Sequence, residues 1–143
     1  LTVGVNVATL TPGTYTGTVT INTGLAPINI PVTLNLAAVT PAQITSVTNA
    51  ASFLPTAVTP GMITAIFGSN MGPTTITTAR LTAQGTLETT LSSTRVLFDN
   101  IPAPLVYVRN DVISAIVPYE VAGRATTNVV VEYQGVRSQP LAL

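Results

Sequence analysis

Apolar and polar residues alternate along much of the first 36 residues, and this period of two constrains the fold more than any other feature of the sequence. The alternation occupies residues 1–8, 14–21 and 28–36, and the turn residues Thr11-Pro12-Gly13 and Asn22-Thr23-Gly24 separate the three runs. Successive side chains of a strand point to opposite faces, so each run predicts a half-buried β-strand. Together they predict a three-stranded antiparallel meander.

One face of this meander would be apolar, and so short a segment cannot bury that face alone. A contiguous apolar patch of this size exceeds what a monomer usually exposes, which makes it a candidate self-association face. Another copy of the chain could cover it by adding strands, and because donor and acceptor surfaces would differ, the contact would be head-to-tail. The face consists of Leu1, Val3, Val5, Val7, Val19, Ile21, Ile28, Ile30, Val32 and Leu34.

The remainder of the chain predicts a second unit. We expect residues 1–38 to form a partial sandwich, 39–43 to form a short linker that contains Pro41, and 44–143 to form a complete β-sandwich. The pairs Asn110-Asp111 and Gln134-Gly135 predict tight hairpins. The fold class is therefore all-β. The expected strands of this unit span 44–47, 62–67, 77–82, 94–98, 105–109, 112–117, 126–133 and 136–143.

Short motifs of the second unit follow one another in a characteristic order: Asn49-Ala50-Ala51-Ser52-Phe53, Pro60-Gly61, Ile101-Pro102-Ala103-Pro104 and Val117-Pro118-Tyr119-Glu120. With these motifs the chain resembles a bacterial family called the Solibacter-type uncharacterised C-terminal domain, and that family is similar to the IPT/TIG immunoglobulin-like domains. The resemblance implies an immunoglobulin-like sandwich at the end of a large secreted or surface protein, with no assigned catalytic residues. The chain departs from the family at Asn110-Asp111, where members commonly show a Gly-Gln pair.

The segment Leu10-Thr11-Pro12-Gly13-Thr14-Tyr15-Thr16-Gly17 is similar to the closing strands of a BACON-type sandwich. That resemblance implies that the strands normally preceding Leu1 are missing from this chain. Since the chain begins with Leu rather than Met, we expect it to be a processed or excised piece.

Composition excludes most enzyme chemistry. The chain has no His and no Cys, and all five of its basic residues are Arg, so imidazole, thiol and amine catalysis and the usual zinc ligand sets are excluded. A carboxylate pair is the remaining hydrolytic option. We expect Asp99 and Asp111 to cap turns and Glu132 to be a solvated strand position. We therefore predict that the chain is not an enzyme and binds no cofactor. The five acids are Glu88, Asp99, Asp111, Glu120 and Glu132.

Two binding hypotheses remain open. Asp99, Asn100, Asn110 and Asp111 could bind calcium if their two turns lie at the same end of the sandwich, although no EF-hand spacing supports this. The aromatic residues could form a sugar-stacking platform, but filling the sandwich core or its corners is favoured because aromatics are only 5% of the chain and Trp is absent. These residues are Phe53, Phe67, Phe98, Tyr107 and Tyr119.

The sequence therefore predicts a non-catalytic, extracellular structural or adhesive module of a bacterial surface or secreted protein. The alternative is a subunit of an extracellular filament assembled by strand sharing between copies, and carbohydrate binding is a weaker third hypothesis. Five acids balance five bases, so no nucleic-acid partner is expected, and no apolar run approaches the roughly 20 residues of a membrane span. We expect Phe67, Phe98 and Val131 to pack in the core of the second unit, and Thr18 to face solvent.

Overall fold

The computed structural model describes residues 4–7, 9–22, 24, 26–55 and 57–143. The chain divides into two compact units, Leu1–Val39 and Thr40–Leu143. The predicted all-β class is confirmed, since the regular structure consists of strands and one 3₁₀ turn at Tyr119–Val121. The strands are β1 (Gly13–Ile21), β2 (Ile28–Leu36), β3 (Gln43–Asn49), β4 (Ile63–Ser69), β5 (Thr77–Thr78), β6 (Thr94–Phe98), β7 (Ile101–Pro102), β8 (Leu105–Val108), β9 (Val112–Ile116), β10 (Asn128–Tyr133), β11 (Val136–Arg137) and β12 (Leu141–Ala142).

In the first unit, β1 and β2 form an antiparallel hairpin in continuous register from Gly13 opposite Leu36 to Ile21 opposite Ile28. Residues directly opposite each other in such a pair share a face. The odd-numbered residues of β1 therefore lie on one face with the even-numbered residues of β2, which are mainly apolar. The other face carries the threonines of β1, and the alternating sequence thus separates an apolar face from a polar one.

The first predicted strand is not found in the part of it that is described. Gly4–Val7 has no strand structure, and Leu1 to Val3 and Ala8 lie outside the described residues. A turn follows at once, in which the Leu10 amide donates to the Val7 carbonyl at 3.1 Å. The described part of the first unit is consequently a two-stranded sheet, not the predicted three-stranded meander.

The second unit consists of two five-stranded sheets. One has the order β3-β4-β9-β8-β5, and the other has the order β11-β10-β6-β7 with β12 also paired to β10. Side chains from both sheets share one buried cluster, which includes Ile66 and Ile113 from the first sheet and Phe98 and Val131 from the second. A β-sandwich holds its core between two inner faces in this way, so the predicted sandwich is confirmed.

The strand predictions for this unit are largely confirmed, and the differences have local causes. β6 matches the predicted bounds, and both predicted hairpins are present, because β9 pairs with β8 around Asn110-Asp111 and β11 pairs with β10 around Gln134-Gly135. The predicted strand 136–143 is split into β11 and β12, and Pro140, which has no amide hydrogen to donate, lies in the interruption. The two-residue strand β7 was not predicted.

Phe67 was assigned to the core incorrectly. Its neighbour Ile66 is buried in the cluster, so Phe67 points to the outer face of β4, where it is half-buried and its ring centroid lies 6.4 Å from that of Phe53. Phe98 and Val131 are fully buried, as predicted.

Gly68 lies within β4 beside the bulge of β3. A Cβ atom there would lie 1.9 Å from the carbonyl oxygen of Gln43, so only glycine allows β3 to approach this closely. Gly61 is a turn glycine: its φ of +78° is accessible to glycine at little cost, and its amide donates to the Val117 carbonyl.

Candidate functional site

The charged residues are confined to one part of the chain. Residues 1–79 contain none, and all of them lie between Arg80 and Arg137. The acids were the candidates for chemistry, and the uncharged hairpin was the candidate for self-association. The two sets of residues therefore belong to different units of the chain.

Asp99 occupies the tight turn between β6 and β7, in which Asp99 and Asn100 have φ values of +51° and +67°. One carboxylate oxygen accepts a hydrogen bond from the backbone amide of Asn128 at 2.9 Å. The other accepts from the Thr127 hydroxyl at 2.9 Å and from the Arg124 guanidinium at 3.1 Å. The Asn128 amide, then the Thr127 hydroxyl, and more weakly Arg124 hold the pKa of Asp99 below its ordinary value. The carboxylate thus fixes the turn to the start of β10.

Asp111 lies in the turn between β8 and β9 and forms a two-point ion pair with Arg109, with 2.8 Å between Nη2 and Oδ2. The hydrogen bonds from Arg109 lower the pKa of the Asp111 carboxyl. Both partners are about half exposed, so the pair contributes little to stability in water. It closes the hairpin locally.

The calcium hypothesis is wrong, because the two turns lie at opposite ends of the sandwich. The turn at Asn110-Asp111 lies near Thr94, the first residue of β6, since Gly72 packs between Thr94 Oγ1 and the Arg109 carbonyl. Asp99 directly follows the last residue of the same strand. Five residues of β6 therefore separate the two acids, and the described residues contain no group of three acidic side chains that could hold a metal ion.

Glu132 was expected to be a solvated strand position, but its side chain is only 17% exposed and lies between two arginines. Arg137 on β11 donates to it at 2.9 Å, and Arg95 on β6 lies at 3.5 Å. Both arginines belong to strands paired with β10, so the sheet register brings the three charges together. Glu132 therefore links three neighbouring strands.

The two remaining acids stand apart from these ion pairs. Glu88 is half-buried, and Glu120 lies exposed in the 3₁₀ turn. Within the described ranges, neither of them takes part in an ion pair. A cleft of about 170 Å³ lies near the Asp99 turn and is lined by Pro60, Leu143 and residues 121–127, but its one charged lining residue, Arg124, is bound to Asp99.

The aromatic residues do not form a single platform. Phe98 is fully buried, whereas Phe53 and Tyr119 are 60% and 74% exposed. Phe53 and Phe67 form the one ring pair found among the described residues. Tyr119 packs over Gly61, where a Cβ atom would lie 2.8 Å from its hydroxyl oxygen. Of the five aromatics, only Phe98 fills the core.

The candidate self-association face is present on the hairpin for the residues that β1 and β2 contribute. The register places Val19 opposite Ile30, Ile21 opposite Ile28, and Val32 opposite Gly17. Ile28 and Ile30 are 53% and 43% exposed, and the other members of the face on these strands are half-buried. No described residue of the first unit is buried. The sheet therefore has an apolar face without a core beneath it.

Side-chain hydrogen bonds connect the strands on the opposite face. The Thr14 hydroxyl donates to the Asn35 side-chain oxygen at 2.9 Å, and the Thr20 hydroxyl donates to Asn29 at 2.8 Å. The apolar face itself carries few polar side chains. One of those few is the Tyr15 hydroxyl, which donates to the Thr11 carbonyl at 2.7 Å.

A groove of about 280 Å³ lies on the apolar face around Gly17. From the preceding segment it is lined by Val5 and Leu10, and from the hairpin by Tyr15, Thr16, Gly17, Thr18, Val19, Val32 and Leu34. Gly17 leaves the floor open, since a Cβ atom at this position would meet nothing within 4 Å. The groove therefore has a mainly apolar lining, to which Thr16 and Thr18 also contribute, and a floor with room for a side chain.

Of the predicted face residues before β1, Leu1 and Val3 lie outside the described residues, and Val5 and Val7 are 54% and 42% exposed without being part of a strand. The prediction omitted three residues that also belong to this surface: Leu10, Tyr15 and Leu36. The alternating pattern does predict Tyr15 and Leu36, because Tyr15 is an odd-numbered residue of β1 and Leu36 an even-numbered residue of β2. Leu10 lies in a turn, and the pattern does not predict it.

Comparisons of the chain with protein-family models, with curated proteins and with solved structures found no match. The described residues include no helix that is long and apolar enough to cross a membrane.

Proposed function

We propose that this chain is a non-catalytic structural or adhesive module of a bacterial surface or secreted protein, with an immunoglobulin-like sandwich as its second unit. The observation that carries the proposal is the role of the acids. Asp99, Asp111 and Glu132 each bind an arginine and stabilise a turn or a set of neighbouring strands. A general base near neutral pH needs a raised carboxyl pKa, whereas the pKa values of Asp99 and Asp111 are lowered.

An extracellular location is supported by the resemblance of residues 49–140 to domains at the ends of secreted and surface proteins. The chain contains no Cys, so oxidising surroundings would not alter it through thiol chemistry. Its balanced charge gives it no field that would attract nucleic acid.

Protease shaving of intact cells that produce the protein tests this location. We expect peptides of this chain to be released before the cells lyse, and a cytoplasmic protein measured in parallel to remain inside. Release of this chain only after lysis would contradict the proposal.

The absence of catalysis is tested by replacing each acid in turn by its amide. Loss of a hydrolytic rate through one such change would contradict a structural role.

A second candidate function is a subunit of an extracellular filament, and the exposed apolar face of the hairpin favours it. A two-stranded sheet is at best marginally stable alone, and this one has no buried residue. Contact with another copy would remove the face from water. Electron microscopy of the full chain tests this. Regular fibres support the filament role, and discrete monomers support the structural or adhesive module.

A further inference from the structure

Phe53 has a backbone conformation that an aromatic residue rarely adopts. Its φ is +57°, in the left-handed region, and the other non-glycine residues with positive φ in the described ranges are all polar. A bulky side chain raises the energy of this conformation, and such strain persists only where the surrounding structure fixes it. The fold therefore holds Phe53 in place although the conformation itself is unfavourable.

The turn that contains Phe53 is closed by Asn49, the last residue of β3. The Asn49 side-chain oxygen accepts hydrogen bonds from the amides of Ala51 and Ser52. The Asn49 carbonyl accepts one from the Phe53 amide at 2.8 Å. The Asn49 amide in turn donates to the Leu54 carbonyl at 3.1 Å. These bonds fix the backbone on both sides of Phe53, so the position of its ring is set before any partner arrives.

The turn presents apolar side chains to water. Phe53 and Leu54 are 60% and 61% exposed, and Ile63 on β4 is 47% exposed. The Ala50 amide donates to the Ile63 carbonyl, so the turn lies against the start of β4. The Phe53 ring has Phe67 on one side, at a centroid distance of 6.4 Å, and is otherwise largely uncovered. Phe53 is therefore an apolar projection on the second unit.

The groove around Gly17 in the first unit has a volume and a lining that suit such a side chain. Its volume is about 280 Å³, its lining is mainly apolar, and a Cβ atom on Gly17 would meet nothing within 4 Å. An apolar cavity of about 150 Å³ is large enough to hold a benzene molecule. A phenyl ring can therefore enter this groove without displacing its walls.

Charge favours the same pairing. Residues 1–79 contain no charged side chain, so the groove and Phe53 both lie in an uncharged part of the sequence. An apolar groove disfavours a charged occupant, because burying an unpaired charge is unfavourable, whereas burying an aromatic ring removes a large apolar area from water. In the single chain the groove is open and Phe53 is exposed, so a second copy supplies what each surface lacks.

We propose that Phe53 of one copy inserts into the groove around Gly17 of a second copy. The two surfaces differ, so the contact is head-to-tail, and repeating it gives a ring or an open filament. This inference rests on the second candidate function, in which copies contact one another. It names the side chain and the groove through which they do so.

Two variants of the full chain separate the two sides of the contact. Phe53→Asn removes the ring, and because asparagine tolerates the left-handed conformation well, relief of strain should offset the lost contact with Phe67. Gly17→Val places a side chain in the groove and leaves Phe53 unchanged. The hairpin should tolerate this change, because the added Cβ meets no atom within 4 Å.

We expect light scattering to show that the wild type assembles as its concentration rises, and that each variant alone is monomeric at those concentrations. The dissociation constant should rise by about tenfold or more, as expected when one aromatic ring is no longer buried. A mixture of the two variants should form one-to-one pairs and nothing larger. Gly17→Val supplies the Phe53 ring to such a pair, and Phe53→Asn supplies the open groove.

Leu81→Asn and Thr33→Val are the matched controls, and both should assemble like the wild type. Leu81 is 64% exposed and follows β5, which lies at the opposite edge of the sheet from β3, so its replacement removes an exposed apolar side chain away from the Phe53 turn. Thr33 is exposed on the polar face of the hairpin, opposite Thr16, and does not line the groove. Its replacement adds an apolar side chain outside the groove.

The outcomes separate the proposed contact from the filament function. A wild type that is monomeric at every concentration would overturn both. Assembly of Phe53→Asn or Gly17→Val like the wild type, a mixture that stays monomeric, or loss of assembly in either control would overturn the contact alone, since copies would then be joined through other surfaces. Hydrogen exchange of the β1 and β2 amides shows whether Gly17→Val still forms the hairpin, and Phe53→Asn tests the contact without any change in that unit.

Discussion

The two units are built from the same kind of alternating strand, but only the second has a partner for its apolar faces. Every buried hydrophobic residue among the described ones belongs to the second unit, whose two sheets face each other across the cluster around Phe98. The first unit has a hairpin of equally regular pattern and no buried residue. Alternation therefore determines which side of a strand is apolar, whereas burial depends on a second layer.

The distribution of charged side chains also distinguishes the two units. Asp99, Asp111 and Glu132 use arginines to fix turns and strands of the second unit, whereas the first unit relies on uncharged pairs such as Thr14 with Asn35. Such neutral pairs order the polar face of the hairpin, and a partner that approaches the apolar face meets no electrostatic repulsion from the same unit. Substitutions in each unit therefore test the difference between a unit with its own core and a unit without one.

The largest effect is expected in the core of the second unit. Phe98→Ala should lower the free energy of unfolding by about 3 to 5 kcal/mol, because Phe98 is fully buried and a cavity would remain. Denaturant titration of the full chain measures this loss. Phe67→Ala serves as the comparison and should cost clearly less, since Phe67 is half-buried on the outer face. Equal losses at both positions would contradict the assignment of faces on β4.

Much of the second unit could be predicted from sequence because its strands depend on local pattern and turn residues. β6 and the hairpin at Gln134-Gly135 follow from such signals. The sequence does not show which strands become neighbours. Glu132 meets Arg95 only through the pairing of β10 with β6, and Asp99 and Asp111 lie at opposite ends only because of the order of the strands.

The apolar face of the β1–β2 hairpin was likewise predictable only where the pairing of its strands follows from the local pattern. Val19, Ile21, Ile28 and Ile30 share a face because the register of one hairpin places them there, and local alternation predicts that register. Gly4–Val7 has an equally regular pattern but no strand structure, because a strand forms only where a second strand pairs with it. The sequence of one segment does not specify that partner.

The next largest effect contrasts one glycine from each unit. Gly68→Ala should destabilise the second unit by about 1 to 3 kcal/mol, because the new Cβ would overlap the Gln43 carbonyl and force β3 away from β4. Gly17→Ala is the matched change in β1, and it should be neutral or slightly stabilising because its Cβ meets open space. Thermal unfolding measures the first change, and hydrogen exchange of the hairpin amides measures the second. A harmless Gly68→Ala would contradict the close approach of β3.

A smaller effect, dependent on pH, is expected at Asp99. Its pKa is lowered from an ordinary value of 3.8, so the carboxylate stabilises the folded state above that value. This contribution is lost as the pH falls through the lowered pKa, because the folded state must then bind the proton. Asp99→Asn lacks the contribution, so its stability difference from the wild type should shrink below pH 3.8. Denaturant titrations at neutral and acidic pH measure the difference, and a difference independent of pH would contradict the assigned role.

The smallest effect is expected on the polar face of the hairpin. Thr18 is exposed on β1 and lies opposite Pro31, which has no amide hydrogen and no polar side chain to pair with it. Thr18→Ala should therefore cost less than about 0.5 kcal/mol, the usual range for a surface change away from special features. Hydrogen exchange of the β1 and β2 amides measures this cost, since it follows the hairpin separately from the larger unit. A loss comparable to that at Phe98 would mean that the polar face is covered as well. The difference between the apolar and the polar face of the hairpin would then be absent.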